Sequence, residues 1–174
     1  CSSDLSLFVD HGERVVSIMG RDSLSLRHFA TEYKPIAKSI PIVVLVNGLS
    51  ASASEILAGS LQDLDRAVVM GQRTYGKGLV QSTAYLGYNT YLKFTTEKYY
   101  IPSGRCIQAH DYTSRNSDGT IAQVPDSLIS EYVTRGGRRV YDGGGVVPDV
   151  KLEPRYISRF AVTLMRLGYV ENWC

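Results

Sequence analysis

A chain of 174 residues, 44% hydrophobic and 21% charged, is long enough to bury one real core and reads as a globular domain. A net charge of +2, with basic residues scattered and Arg138-Arg139 the densest pair, excludes the electrostatic footprint of a nucleic-acid binder. No apolar run approaches the roughly 18 residues that span a bilayer. Three cysteines at scattered positions, Cys1, Cys106 and Cys174, give neither a disulfide framework nor a zinc pattern.

Near the start, residues 5–9 read as the end of a helix or the approach to a strand, and 13–19 (ERVVSIM) as a strand. No cationic start precedes an apolar stretch, so no signal peptide is read here. Cys1-Ser2-Ser3 is compatible with the mature start of a bacterial lipoprotein, and numbering that begins inside a longer protein is the simpler reading. Residues 20–39 are polar and mixed, with weak helical or loop character. Residues 42–46 form the longest apolar run, and 41–46 read as a strand buried on both faces, as in the middle of an α/β sheet. A turn at 47–50 leads into a helix over 51–64, where Ala53, Leu57, Leu61 and Leu64 fall on one face. The strand at 66–70 then closes a parallel strand–helix–strand unit. A loop punctuated by glycines covers 71–78. Residues 79–86 and 91–100 read as a hairpin about Gly87-Tyr88-Asn89-Thr90. The polar, glycine-rich stretch 111–145 reads as a surface insertion with a short hairpin or helix. A terminal helix covers 158–167, with Phe160, Leu164 and Leu167 on one side.

Chemistry is expected where the strand at 41–46 turns into the helix. A serine at that point, Ser52, has backbone N–H groups beside it and the positive end of the helix dipole, both of which favour a developing oxyanion. Its hydroxyl needs a base. Lys77, in Gly76-Lys77-Gly78, can act as one if burial disfavours its charged form, and the flanking glycines let the backbone approach the helix start. Gln81, four residues on, can orient the lysine through its amide. Taken singly, each residue has a plainer explanation. Ser52-Ala53-Ser54-Glu55 fits a capping box, Gly76-Lys77-Gly78 a solvated turn, and Gln81 an exposed strand position. The histidines, His11, His28 and His110, lie in no context resembling a Ser–His–Asp triad. Cys106 reads as a buried, inert thiol rather than a reactive one.

The segments taken together resemble the C-terminal processing (tail-specific) serine peptidases. Asn47-Gly48-Leu49-Ser50-Ala51-Ser52-Ala53-Ser54-Glu55-Ile56 looks like that family's nucleophile segment, Arg66-Ala67-Val68-Val69-Met70-Gly71 like its next strand, and Thr74-Tyr75-Gly76-Lys77-Gly78-Leu79-Val80-Gln81 like its lysine segment. Lys77 stands 25 residues after Ser52, at the family's spacing. Thr96-Glu97-Lys98-Tyr99-Tyr100-Ile101-Pro102-Ser103-Gly104-Arg105-Cys106-Ile107-Gln108 and Gly145-Val146-Val147-Pro148-Asp149-Val150 resemble its later conserved segments.

The resemblance implies an α/β fold with a crotonase/Clp-protease-like core, strand–helix–strand units and an added β-hairpin. It implies a serine endopeptidase acting near protein C-termini, with Ser52 as nucleophile, Lys77 as general base and Gln81 orienting it. The Ser52 N–H would be one oxyanion donor, and Ser54 and Glu55 would be helix structure. No metal and no diffusible cofactor is implied. The expected partners are proteins or peptides with apolar C-termini, with self-association and proximity to a membrane as further expectations and nucleic acid excluded. Residues 1–174 read as one catalytic core forming the C-terminal part of a larger enzyme, because the family's PDZ-like domain and glycine-rich oxyanion stretch have no counterpart here. Relatives act mostly in the bacterial envelope or the chloroplast lumen, so the expected location is a bacterial periplasm or envelope. Two other classes stand beside this one. The first is a catalytically incomplete module that binds peptides or assembles. The second, much weaker, is an acyl-CoA enzyme sharing the core fold, for which the sequence offers no paired carboxylates.

Overall fold

The short helix α1 (Ser2–Leu5) places Leu5 in the core, and the chain then turns into strand β1 (Arg14–Gly20), whose Val15 and Val16 are buried. The computed structural model describes residues 2–154 and 158–169; Cys1, with the lipoprotein reading, and Cys174 fall outside them. The stretch read as weak helix or loop contains a 3-10 turn (Ser23–Ser25) and a strand missed in the sequence, β2 (Arg27–Ala30). Its register against β1 breaks at a bulge between Arg14 and Val16, and a bulged four-residue edge strand leaves little alternation to read.

Strand β3 (Val43–Val46), helix α2 (Ala53–Asp63) and strand β4 (Val68–Gly71) form the expected parallel unit, with Val43 opposite Val68 and Val46 opposite Gly71. A third strand, β11 (Val150–Lys151), joins β4 in parallel, giving the order β11-β4-β3. The expectation that β3 is buried on both faces is wrong. Val46 packs under α2, but Val43 is 55% and Leu45 74% exposed, because α2 covers one face of this small sheet only.

A four-stranded antiparallel sheet carries the rest of the framework, in the order β2-β1-β6-β5. Its long hairpin is β5 (Leu79–Gly87) and β6 (Thr90–Tyr100). Tyr88 and Asn89 both have positive φ, 47° and 56°, which is the backbone of a two-residue type I′ turn and matches the twist of the strands it joins. The stretch read as a surface insertion holds two small hairpins, β7 (His110–Arg115) with β8 (Ile121–Gln123) and β9 (Glu131–Val133) with β10 (Arg139–Tyr141). Helix α3 (Arg159–Arg166) begins where expected: the Ser158 hydroxyl accepts from the Ala161 N–H, and Phe160 and Leu167 are exposed.

The core lies between α2, the parallel sheet and β1. Leu5, Val15, Ala58, Leu61, Val69, Ile107 and Val146 are almost wholly buried there, and a buried Leu, Ile or Val contributes about 1.5–3 kcal/mol relative to exposure. The C-terminal half of α2 is buried on its polar side as well. Arg105 lies with Asp63 as a fully buried ion pair at 2.9 Å and also donates to Gln62 Oε1 and the Tyr141 carbonyl. Asp149 accepts from the Gln62 amide and the Val69 N–H. The Ser103-Gly104-Arg105 and Val147-Pro148-Asp149 segments therefore act as clamps on α2. Burial pushes the Asp63 carboxyl up against the opposing pull of Arg105, and burial pulls the Arg105 guanidinium down.

Candidate functional site

The turn between β3 and α2 is built by short-range polar contacts. The Leu49 N–H donates to Asn47 Oδ1 and the Ser50 N–H to the Asn47 carbonyl. Ser52 follows as the N-cap of α2, with φ 58° and ψ −116°. A serine with that φ is held against its own preference, and such strain persists only where neighbouring contacts over-determine it. Here the main determinant is Glu55, one turn into α2 and fully buried.

Glu55 Oε2 accepts from the Ser52 N–H at 2.9 Å, as half of the expected capping box, and also from the Lys77 N–H at 2.8 Å. Oε1 accepts from the Thr74 hydroxyl at 2.5 Å and the Gly76 N–H at 2.7 Å. Four donors thus converge on one carboxylate and tie the serine turn to the lysine loop. The Tyr75 N–H adds a bond to the Ser50 carbonyl, and Thr74 Oγ1 accepts from the Val146 N–H at 2.7 Å. The reading of Glu55 as helix structure captured one bond of the four. The other three partners lie 19–22 residues downstream, and no local pattern announces them.

The glycines beside Lys77 also act differently from the expectation. They admit the segment 108–109 rather than the helix start. A Cβ on Gly76 would lie 2.3 Å from the Ala109 Cβ, and one on Gly78 2.8 Å from the Gln108 nitrogen. The Gly76 carbonyl accepts from the Ala109 N–H, and the Gly78 N–H donates to Gln108 Oε1. Gly76 also has φ +86°, so both its conformation and its contact require glycine.

Ser52, Lys77 and Gln81 all line one groove of about 350 Å³, together with Ile18, Ile56 and Tyr99. Ser52 and Lys77 are half-buried. Gln81 is exposed on β5, at the bulge between Val80 and Gln81. The Ser52 N–H, expected as an oxyanion donor, is engaged by Glu55 instead. Tyr99 and Lys93 add polar groups to the groove. Tyr99 is almost fully buried on β6, its hydroxyl donates to the Ser52 carbonyl at 3.5 Å, and burial together with the Glu55 charge pushes its pKa well up. Lys93 brings a second amine to the groove from the same strand.

The other candidate groups lie elsewhere. His28 Nδ1 is 2.8 Å from Ser17 Oγ on the exposed face of the antiparallel sheet. His110 packs between Tyr75 and Tyr112. Burial raises the Cys106 thiol, in keeping with an inert cysteine. Among the described residues no group of His, Cys, Asp and Glu is placed to hold a metal ion. No helix among them is long and apolar enough to cross a membrane.

A profile of peptidase family S41 matches residues 2–114. Over 101 residues the chain is 46% identical to the carboxy-terminal-processing protease of Bartonella bacilliformis, covering 58% of this chain and 23% of that protein. Over 97 residues it is 41% identical to the chloroplastic carboxyl-terminal-processing peptidase 1 of Arabidopsis thaliana, covering 56% of this chain and 20% of the other. Among solved structures, the photosystem II D1 C-terminal processing protease superposes with a TM-score of 0.60 at 30% identity, over 88% of this chain and 30% of that one. A putative S41 protease from Bacteroides fragilis superposes with a TM-score of 0.56 at 9% identity, a likeness of fold alone. The chain spans less than a quarter of the length of these curated relatives.

Proposed function

Because the chain belongs to peptidase family S41, we propose that it carries the catalytic centre of a serine endopeptidase acting near protein C-termini, with a Ser52–Lys77 dyad. One observation supports this reading above the others: the Glu55 carboxylate takes the backbone N–H of both residues, so a strained serine at a helix start and a lysine 25 residues later share one anchor beside one groove. In the proposed reaction, the Lys77 amine removes the Ser52 hydroxyl proton as Oγ attacks the scissile carbonyl, then returns it to the departing amine. The partial positive charge at the start of α2 meets the oxyanion. Gln81, at the outer side of the groove, orients the lysine amine once substrate is seated. Substrates are extended polypeptides with apolar C-termini, and the location is the bacterial envelope, both by likeness to the family.

A second reading, a peptide-binding module without turnover, is favoured by one feature, the engagement of the Ser52 N–H by Glu55. Cleavage of an unstructured protein with an apolar C-terminus separates the two when the parent chain is compared with Ser52→Ala and Lys77→Ala. Loss of the general base is expected to slow turnover by about 10²–10⁴-fold. A serine-directed phosphonate should label Ser52 in the parent and fail in Lys77→Ala. An unlabelled, inactive parent that still binds peptide would select the binding module.

A further inference from the structure

Behind the groove lies a larger cavity of about 510 Å³ that the dyad does not use. Two observations connect it to the groove. Leu79, the first residue of β5, lines both. Gln81 lines the groove, while Thr95, its partner across the strands, lines the cavity. The inner wall comes from the core of the fold and the outer wall from Val124, Pro125 and Leu128 of the insertion, beyond the stretch 2–114 that matches the family.

The chemistry of the lining selects the occupant. Its polar groups are largely engaged already. Gln108 accepts from the Gly78 N–H and donates to the His110 carbonyl. Asp111 accepts from the backbone and hydroxyl of Thr113, and Asp142 from the Ser130 N–H. The carboxylates are turned to their own loops, and the surface left to a ligand is mainly apolar, from Leu79, Val124, Pro125 and Leu128 with the ring of Tyr112, with Lys98 and the Cys106 thiol also in the lining. One buried polar atom is left over, His110 Nε2, which has no hydrogen-bond partner. A volume of this size suits a large side chain with part of its backbone. The edge strand β5 runs from the groove past the cavity mouth, with its outer side unpaired in the sheet order.

We propose that this cavity is a specificity subsite for an apolar side chain, leucine or phenylalanine in size, of an extended polypeptide held along β5, with His110 Nε2 bonding the peptide backbone. The assignment rests on the peptidase reading for its substrate class. Short unstructured fluorescein-labelled peptides, identical but for leucine or glycine at each position in turn, are titrated into the Ser52→Ala chain. At one position leucine should bind about tenfold or more tighter than glycine, the range expected for burying one such side chain. Leu128→Asp should abolish that preference. Leu128 is 67% exposed, so the substitution leaves the core intact, and an unchanged thermal melt of the variant checks this. Equal binding of all peptides, binding of none, or a leucine preference that survives Leu128→Asp overturns the subsite. Failure of Ser52 to label, with the preference intact, sinks the peptidase reading and leaves the subsite standing.

Discussion

Replacing Glu55 with glutamine tests the architecture of the site most directly. The change keeps size and shape but turns one acceptor oxygen into a donor. Set toward Ser52 and Lys77, the new NH2 would confront two N–H groups whose hydrogens are fixed. Set toward Thr74 and Gly76, it confronts one fixed N–H, because the Thr74 hydroxyl can rotate and accept. The second orientation is preferred; it leaves the buried Gly76 N–H without a partner and turns the Thr74 hydroxyl hydrogen away from its acceptor. An orphaned buried donor costs about 1–3 kcal/mol, a large part of a total stability of about 5–15 kcal/mol. At roughly 2–4 °C per kcal/mol for a chain of this size, Tm should fall by about 2–12 °C. In that orientation Ser52 and Lys77 keep their acceptor, so labelling of Ser52 by a phosphonate should fall far less than in Glu55→Ala, which removes the acceptor from all four donors. Urea unfolding, thermal melting and labelling rate on both variants make the test. A Glu55→Gln chain as stable as the parent within about 0.5 kcal/mol, or a Glu55→Ala chain indistinguishable from Glu55→Gln, would refute the reasoning.

Two further outcomes concern the clamps on α2. Arg105→Met leaves Asp63 buried opposite no cation and should cost about 3–5 kcal/mol in urea unfolding, while adding Asp63→Asn should recover part of the loss; equal stability of the two variants would show that the pair does not act as a unit. Asp65 joins the end of α2 to the β9–β10 turn through Arg138 and the Gly136 N–H. Partial burial pulls its carboxyl up, but the bonds from Gly136, Arg138 and Thr134 outweigh that and hold its pKa below the usual 3.8. The native state therefore binds the proton less tightly than the unfolded chain. The stabilisation is complete above the unfolded pKa and is lost as pH falls from 3.8 toward the lowered native value. Asp65→Asn should flatten the acid limb of stability against pH, and an unchanged acid limb would remove Asp65 as its source.

The sequence by itself determined most of the elements and the register of the candidate dyad. The strand at 41–46, the helical face of Ala53, Leu57, Leu61 and Leu64, of which the first-turn Ala53 alone is exposed, and the hairpin about Tyr88-Asn89 are local patterns, and local patterns survive without knowledge of the fold. Ser52 and Lys77 were legible because an ordered string of motifs carried them, and both line one groove. Tertiary structure decided what depends on residues far apart. Glu55 is half a capping box in the sequence and becomes the shared anchor only when Thr74, Gly76 and Lys77 fold over it. The glycines around Lys77 were read as room for the helix, and the neighbour they admit is the segment 108–109. The apolar run of β3 could not report that α2 covers one of its faces alone. Periodicity encodes how a segment is shaped, but which surface covers it is a contact between distant parts of the chain, and only the folded arrangement fixes that.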